Sequence, residues 1–144
     1  MKWFTHFSGR RLEWCLALYT VTFGMWISLP SESMSSPGFR SALSLMTERE
    51  WGALYIVVGT IHNIALHVNG RAAWTPFARV GAVFLNGQVF LAMALAIAQS
   101  SPWSSGVLTY GFFSTFFCGV ALIAAAQDCG RELRIWKERR DGGN

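Results

Sequence analysis

Apolar positions along the chain gather into four long stretches, separated by short runs rich in Ser, Pro, Gly and charged residues. Each stretch holds roughly 18 to 22 positions, the length a helix needs at about 1.5 Å per residue to cross about 30 Å of hydrocarbon. The pattern predicts an all-α, polytopic membrane protein with four transmembrane helices forming one membrane domain over residues 1–144.

The first span reads from about Leu12 to Leu29 and stops at Pro30 and the Ser-rich stretch through Pro37. The second runs from Trp51 to Val68. It is opened by Thr47-Glu48-Arg49-Glu50, a T-x-x-E pattern in which hydroxyl and carboxylate satisfy orphaned amides, and closed by Asn69-Gly70. The third, about Pro76 to Ala98, has Thr75 as expected N-cap and Pro76 at the first helical position, where a missing N–H costs nothing. The fourth extends from about Val107 to Ala126, entered through Ser100 to Gly106, and a basic tail covers 127–144. In the first external loop, Phe39, Leu43 and Met46 follow at spacings of four and three. That spacing predicts a short interfacial helix, lying in the outer interface or folded over the bundle.

Charge then fixes an orientation. Lys2, Arg10, Arg11, Arg71, Arg79, Arg131, Arg134, Lys137, Arg139 and Arg140, ten of the 12 cations, flank the spans on one side. Only Arg40 and Arg49 fall on the other, offset by Glu32, Glu48 and Glu50. Cations are retained on the cytoplasmic side, so both termini are expected in the cytoplasm. Trp14, Trp26, Trp51, Trp74 and Trp103 fall near span ends, where indoles sit among headgroups. A cleaved signal peptide is the alternative reading of the first span. Its length, its aromatic residues and the lack of an A-x-A site argue against it.

Composition agrees: 52% of the 144 residues are hydrophobic and 14% charged. Roughly 80 residues in the bilayer leave no room for a soluble catalytic domain, a nucleotide-binding fold or a nucleic-acid module. No G-x-x-x-x-G-K-[ST], G-x-S-x-G or H-E-x-x-H occurs, and no enzyme is expected.

Function, if any residue shows it, should show in polar groups within the spans. Thr60, Asn63 and His67 form a candidate polar stripe on the second helix, with Asn86 and Gln88 on the third. Gly111, Thr115 and Gly119, four apart, form a candidate helix-packing ridge on the fourth. Glu13 is a candidate interfacial acid, expected to pair with Arg10, Arg11 or the fourth helix; no second intramembrane acid accompanies it to make a relay. His62 and His67 are separated by about 140° around a helix and cannot clamp one iron from a single helix. A haem shared between subunits is the one cofactor arrangement they leave open, so no cofactor or metal is expected. Cys15, Cys118 and Cys129 contain no C-x-x-C and read as small buried or interfacial residues.

With Glu50-Trp51-Gly52 opening the second helix, Asn69-Gly70 closing it and Arg79 entering the third, the chain resembles small four-span membrane proteins of tailed phages and prophages, some of them holin-like. The resemblance implies oligomerisation in the cytoplasmic membrane and the opening of lesions for a lysis enzyme. It assigns no site residue. The sequence thus supports a nonenzymatic, self-associating membrane protein, holin-like in its most concrete version. The alternative is an accessory, anchor or superinfection-exclusion protein acting through a partner. The expected partners are the lipid bilayer, a second copy of the chain and a protein at the basic tail, with no nucleic acid.

Overall fold

The computed structural model describes residues 10–30, 32–69 and 74–141, and every element among them is helical. Lys2, Gly70 and Arg71, which entered the readings above, lie outside the described residues. Helix α1 covers Arg11–Ser28. A 3-10 turn at Pro37–Phe39 leads into a short α2, Arg40–Leu45. Then come α3, Glu48–Val68, and α4, Thr75–Ser100. The last helix is continuous but has three parts: α5 Ser105–Phe112, a π segment Phe113–Phe117, and α6 Cys118–Asp141. Three helices are long and apolar enough to cross a membrane: Glu48–Val68, Thr75–Ser100 and Ser105–Glu138. Helix α1, with Arg11 and Glu13 in its first turn, is not among them.

The termini of these helices follow local chemistry. Thr47 and Glu50 close the expected capping box: the Glu50 N–H donates to Thr47 Oγ1 at 3.3 Å and the Thr47 N–H donates to Glu50 Oε2 at 2.7 Å. Pro76 stands in the first turn of α4, but Trp74 takes the cap position and Thr75, 1% exposed, is already helical. Ser104 caps α5 by accepting from the Val107 N–H at 3.4 Å.

Helices α1, α3, α4 and α5–α6 run up and down in turn, α1 against α3 and α4 against α5–α6, with α3 joining the two pairs. Glycine makes the first contact close. A Cβ on Gly24 would stand 2.7 Å from the Gly52 carbonyl oxygen and 2.7 Å from the Ile56 nitrogen, and one on Gly59 would stand 2.7 Å from the Val21 nitrogen. Backbones therefore touch where sequence pattern pointed elsewhere. The expected ridge of Gly111, Thr115 and Gly119 does not pack within the chain: Thr115 is exposed, and a Cβ on Gly111 or Gly119 would meet nothing within 4 Å.

At the end away from the chain termini, α2 folds over the bundle. Its Ala42 is fully buried and the Trp51 indole N–H donates to the Ala42 carbonyl at 2.9 Å. The Ser41 N–H donates to Ser100 Oγ at 2.8 Å. Phe39 and Met46 pack on the core, whereas Leu43 is 38% exposed. Trp51 is thus a core residue, not a headgroup anchor, because α2 covers it; Trp26, Trp74 and Trp103 remain exposed. Below this cap an aromatic core forms around Tyr55 and Phe90, both fully buried, whose rings meet at 5.3 Å. Tyr19 stacks on Phe113 at 4.7 Å.

Inside the last helix, the π segment has a visible partner. Ser114 Oγ donates to the Gly87 carbonyl at 2.9 Å, and a Cβ on Gly87 would stand 3.2 Å from Cys118 Cβ. The wider turn re-aims Ser114 and Cys118 at α4.

Overpacking a filled contact costs on the order of 1–3 kcal/mol, so Gly59→Leu and Gly24→Leu should lower the thermal unfolding midpoint in detergent, followed by circular dichroism. Gly111→Ile and Gly119→Ile should leave that midpoint unchanged, because the added side chains enter open space.

Candidate functional site

Burial of charge sets the candidate site. Glu13 of α1 is 3% exposed and Arg79 of α4 is 1% exposed. Arg79 Nε and Glu13 Oε2 stand 2.9 Å apart as opposite charges, and Arg79 Nη1 donates to Asp128 Oδ2 of α6 at 2.9 Å. Arg10 completes the ring, donating to the same Asp128 oxygen at 3.2 Å. With the Asn69 amide oxygen turned toward it, Arg10 Nη2 also donates to that oxygen at 2.9 Å. Arg131, largely exposed, reaches Asp128 Oδ1 at 3.7 Å. Residues from α1, α4 and α6 and the last residue before the α3–α4 connection therefore meet at one end of the bundle. A guanidinium suits the centre, since its planar fork can meet two carboxylates at once.

Seven residues further into the bundle on α1, α3 and α4 lies a second polar layer. Glu13 is followed by Thr20, Arg79 by Asn86, and Asn69 is preceded by His62. Thr20, Asn86 and His62 are each fully buried. Thr20 Oγ1 lies 3.0 Å from Asn86 Oδ1 and 2.8 Å from the Leu16 carbonyl, and Asn86 Nδ2 lies 3.0 Å from His62 Nδ1. With the amide so placed, Nδ1 accepts and the ring proton sits on Nε2, where it meets no hydrogen-bond acceptor among the described residues.

The sequence-derived candidates divide on this geometry. Asn86 and Glu13 are at the centre. The stripe of Thr60, Asn63 and His67 is rotated away from the interior: Thr60 and His67 are exposed, and Asn63 returns its amide to the Gly59 carbonyl of its own helix at 2.8 Å. His62 is the histidine that faces the bundle. Gln88 is exposed, and Thr115 Oγ1 donates to the Gly111 carbonyl at 2.7 Å. Glu13, expected to pair with Arg10, Arg11 or the last helix, pairs instead with Arg79 of α4, which the charge count places only beside a span. The signal for it was available, since the expected topology sets Glu13, Arg79 and Asp128 at one membrane level.

Among the described residues, no three His, Cys, Asp or Glu side chains gather to hold a metal ion. Cys118 and Cys129 are buried and Cys15 is exposed, all three as free thiols. The chemistry displayed is charge neutralisation and hydrogen bonding inside an apolar shell. Comparison with protein-family models, curated proteins and solved structures returned no match.

Removing one member of a buried ion pair costs about 3–5 kcal/mol, because the other charge is left uncompensated. Arg79→Met should destabilise the fold by that order, measured by unfolding in mixed detergent micelles. Arg131→Ala should stay within about 0.5 kcal/mol. The double variant Glu13→Leu/Arg79→Leu should recover part of the loss; no recovery would show that the pair does not act as a unit.

Proposed function

We propose that the chain is a nonenzymatic protein of a bacterial cytoplasmic membrane, crossing it four times with both termini in the cytoplasm, that associates with itself and presents its cationic terminal helix to a protein partner. The charge cluster carries this reading. Arg79 neutralises the acid that sets α1 apart from the three apolar helices, and the 18 residues of α1 reach about 27 Å at about 1.5 Å per residue, close to the hydrocarbon thickness. The cations of one membrane face are thereby used structurally at the root of α6.

Beyond that root α6 runs on without a break to Asp141, and the side chains of Arg131, Arg134, Lys137 and Arg140 are exposed. Asp128 to Asp141 spans about 20 Å of helix, whereas the headgroup layer adds only about 5–7 Å on each side of the hydrocarbon. An upright tail therefore stands clear of lipid headgroups. Trp136, 56% exposed with Arg140 stacked 5.2 Å above its ring, gives the projecting helix an aromatic contact of the kind protein partners use. Holin-like permeabilisation is the second reading, favoured by the outward-facing Thr60 and Gln88, which could line water in an assembly.

Induced expression separates the two. Under the leading reading, cells keep growing and exclude a membrane-impermeant dye; abrupt growth arrest with dye entry would transfer the weight to permeabilisation. A reporter fused after Asn144 should be active only in the cytoplasm. A polarity-sensitive label on Lys137→Cys should report water in neutral and anionic nanodiscs alike, and a blue shift with anionic lipid would mean that the tail lies on the membrane.

A further inference from the structure

Helix α4 turns a second, unused face outward. Gly81, Leu85, Gln88, Ala92, Leu95 and Gln99 are all exposed, and their spacing of four, three, four, three and four is that of the a and d positions of a heptad. A Cβ on Gly81 would meet nothing within 4 Å, so this face admits a close backbone. It carries no formal charge, since Arg79 is turned inward and paired.

Gln88 is the decisive residue. It stands 13 residues after Thr75 and 12 before Ser100, at the midpoint of an apolar helix, about 18–20 Å from either end. No glutamine side chain reaches water from that depth. Its amide makes no hydrogen bond among the described residues, whereas Asn63 and Thr115 each donate to a carbonyl of their own helix. In hydrocarbon an amide with two donors and an acceptor needs a partner of the same depth.

We infer that α4 is the contact between two copies of this chain, paired in parallel about a two-fold axis along the membrane normal, with Gln88 hydrogen-bonded reciprocally to Gln88 of the second copy. The inference rests on the membrane-crossing reading above. Copies inserted with the same orientation meet through such an axis, which sets α4 parallel to α4 and puts each residue opposite its equivalent. A primary amide is its own complement, donating through nitrogen and accepting through oxygen, so a second copy satisfies Gln88 with no further polar group. The uncharged face raises no repulsion between copies.

The test is subunit counting of full-length protein in lipid vesicles across a dilution series, by energy transfer between two dye-labelled pools. Wild type should form dimers. Gln88→Leu should raise the protein-to-lipid ratio at half-dimerisation by about tenfold, with helicity and the unfolding midpoint unchanged because the side chain is exposed in the monomer. Gly81→Ile should act in the same direction, and Gln88→Asn should retain most of the pairing. Wild type that is monomeric at every ratio overturns the inference, as do dimers insensitive to Gln88→Leu or assemblies lost only with Gly111→Ile. Alkaline extraction isolates the underlying reading: protein in the membrane pellet but monomeric sinks the α4 contact alone, whereas protein in the supernatant sinks membrane insertion as well.

Discussion

A single guanidinium, Arg79, determines how the ends of this bundle come together. It is almost wholly buried, and it holds Glu13 on one side and Asp128 on the other. A buried guanidinium cannot shed its proton and needs counter-charge, which Glu13 supplies from the interior and the partly exposed Asp128 from the rim. The three helices that carry these groups are therefore fixed in depth and in rotation relative to each other. Once Glu13 and Arg79 face inward, a step of seven residues, close to two helical turns, brings Thr20 and Asn86 inward as well. The second polar layer is in this sense a consequence of the first.

Two different contacts keep the remainder of the bundle in place. On one side, Gly24, Gly52 and Gly59 let the backbones of α1 and α3 touch, a contact governed by shape. On the other, α4 meets the last helix through Gly87, Ser114 and Cys118, where a π segment resets the phase of the helix before it descends to Asp128. The polar half and the aromatic half are thus stacked along the bundle axis, and each depends on a helix phase set in the other.

Much of the architecture was legible in the sequence because it rests on local rules. Three of the apolar stretches form helices as long as bilayer thickness asks for, and the Thr47–Glu50 box and the Pro76 start follow from unsatisfied amides. Which face of each helix points inward was not legible in the same way. A helix that is apolar on all sides carries little directional signal, so Thr60, Asn63 and His67 formed an apparent stripe while His62, one position from Asn63, took the interior. Residues next to one another in sequence are about 100° apart on the helix, and no count of polar positions selects between them. The glycine contacts were missed for a related reason. A small-residue ridge identifies a surface that can approach another, without saying whether that other surface is in the same chain.

The distribution of polarity has a further consequence for what the protein can do. Its strongest polar groups are paired with one another inside a single chain. Outward, the bundle displays a cationic helix beyond Asp128, a small-residue face on α5–α6 and a face on α4 with one amide midway along it. Under the function proposed above, these are the surfaces that would meet other proteins, since lipid tails offer nothing to an amide. A rigid interior holds such surfaces at fixed positions on the bundle, and the Arg79 cluster is what ties α6 to α1 and α4 beneath them.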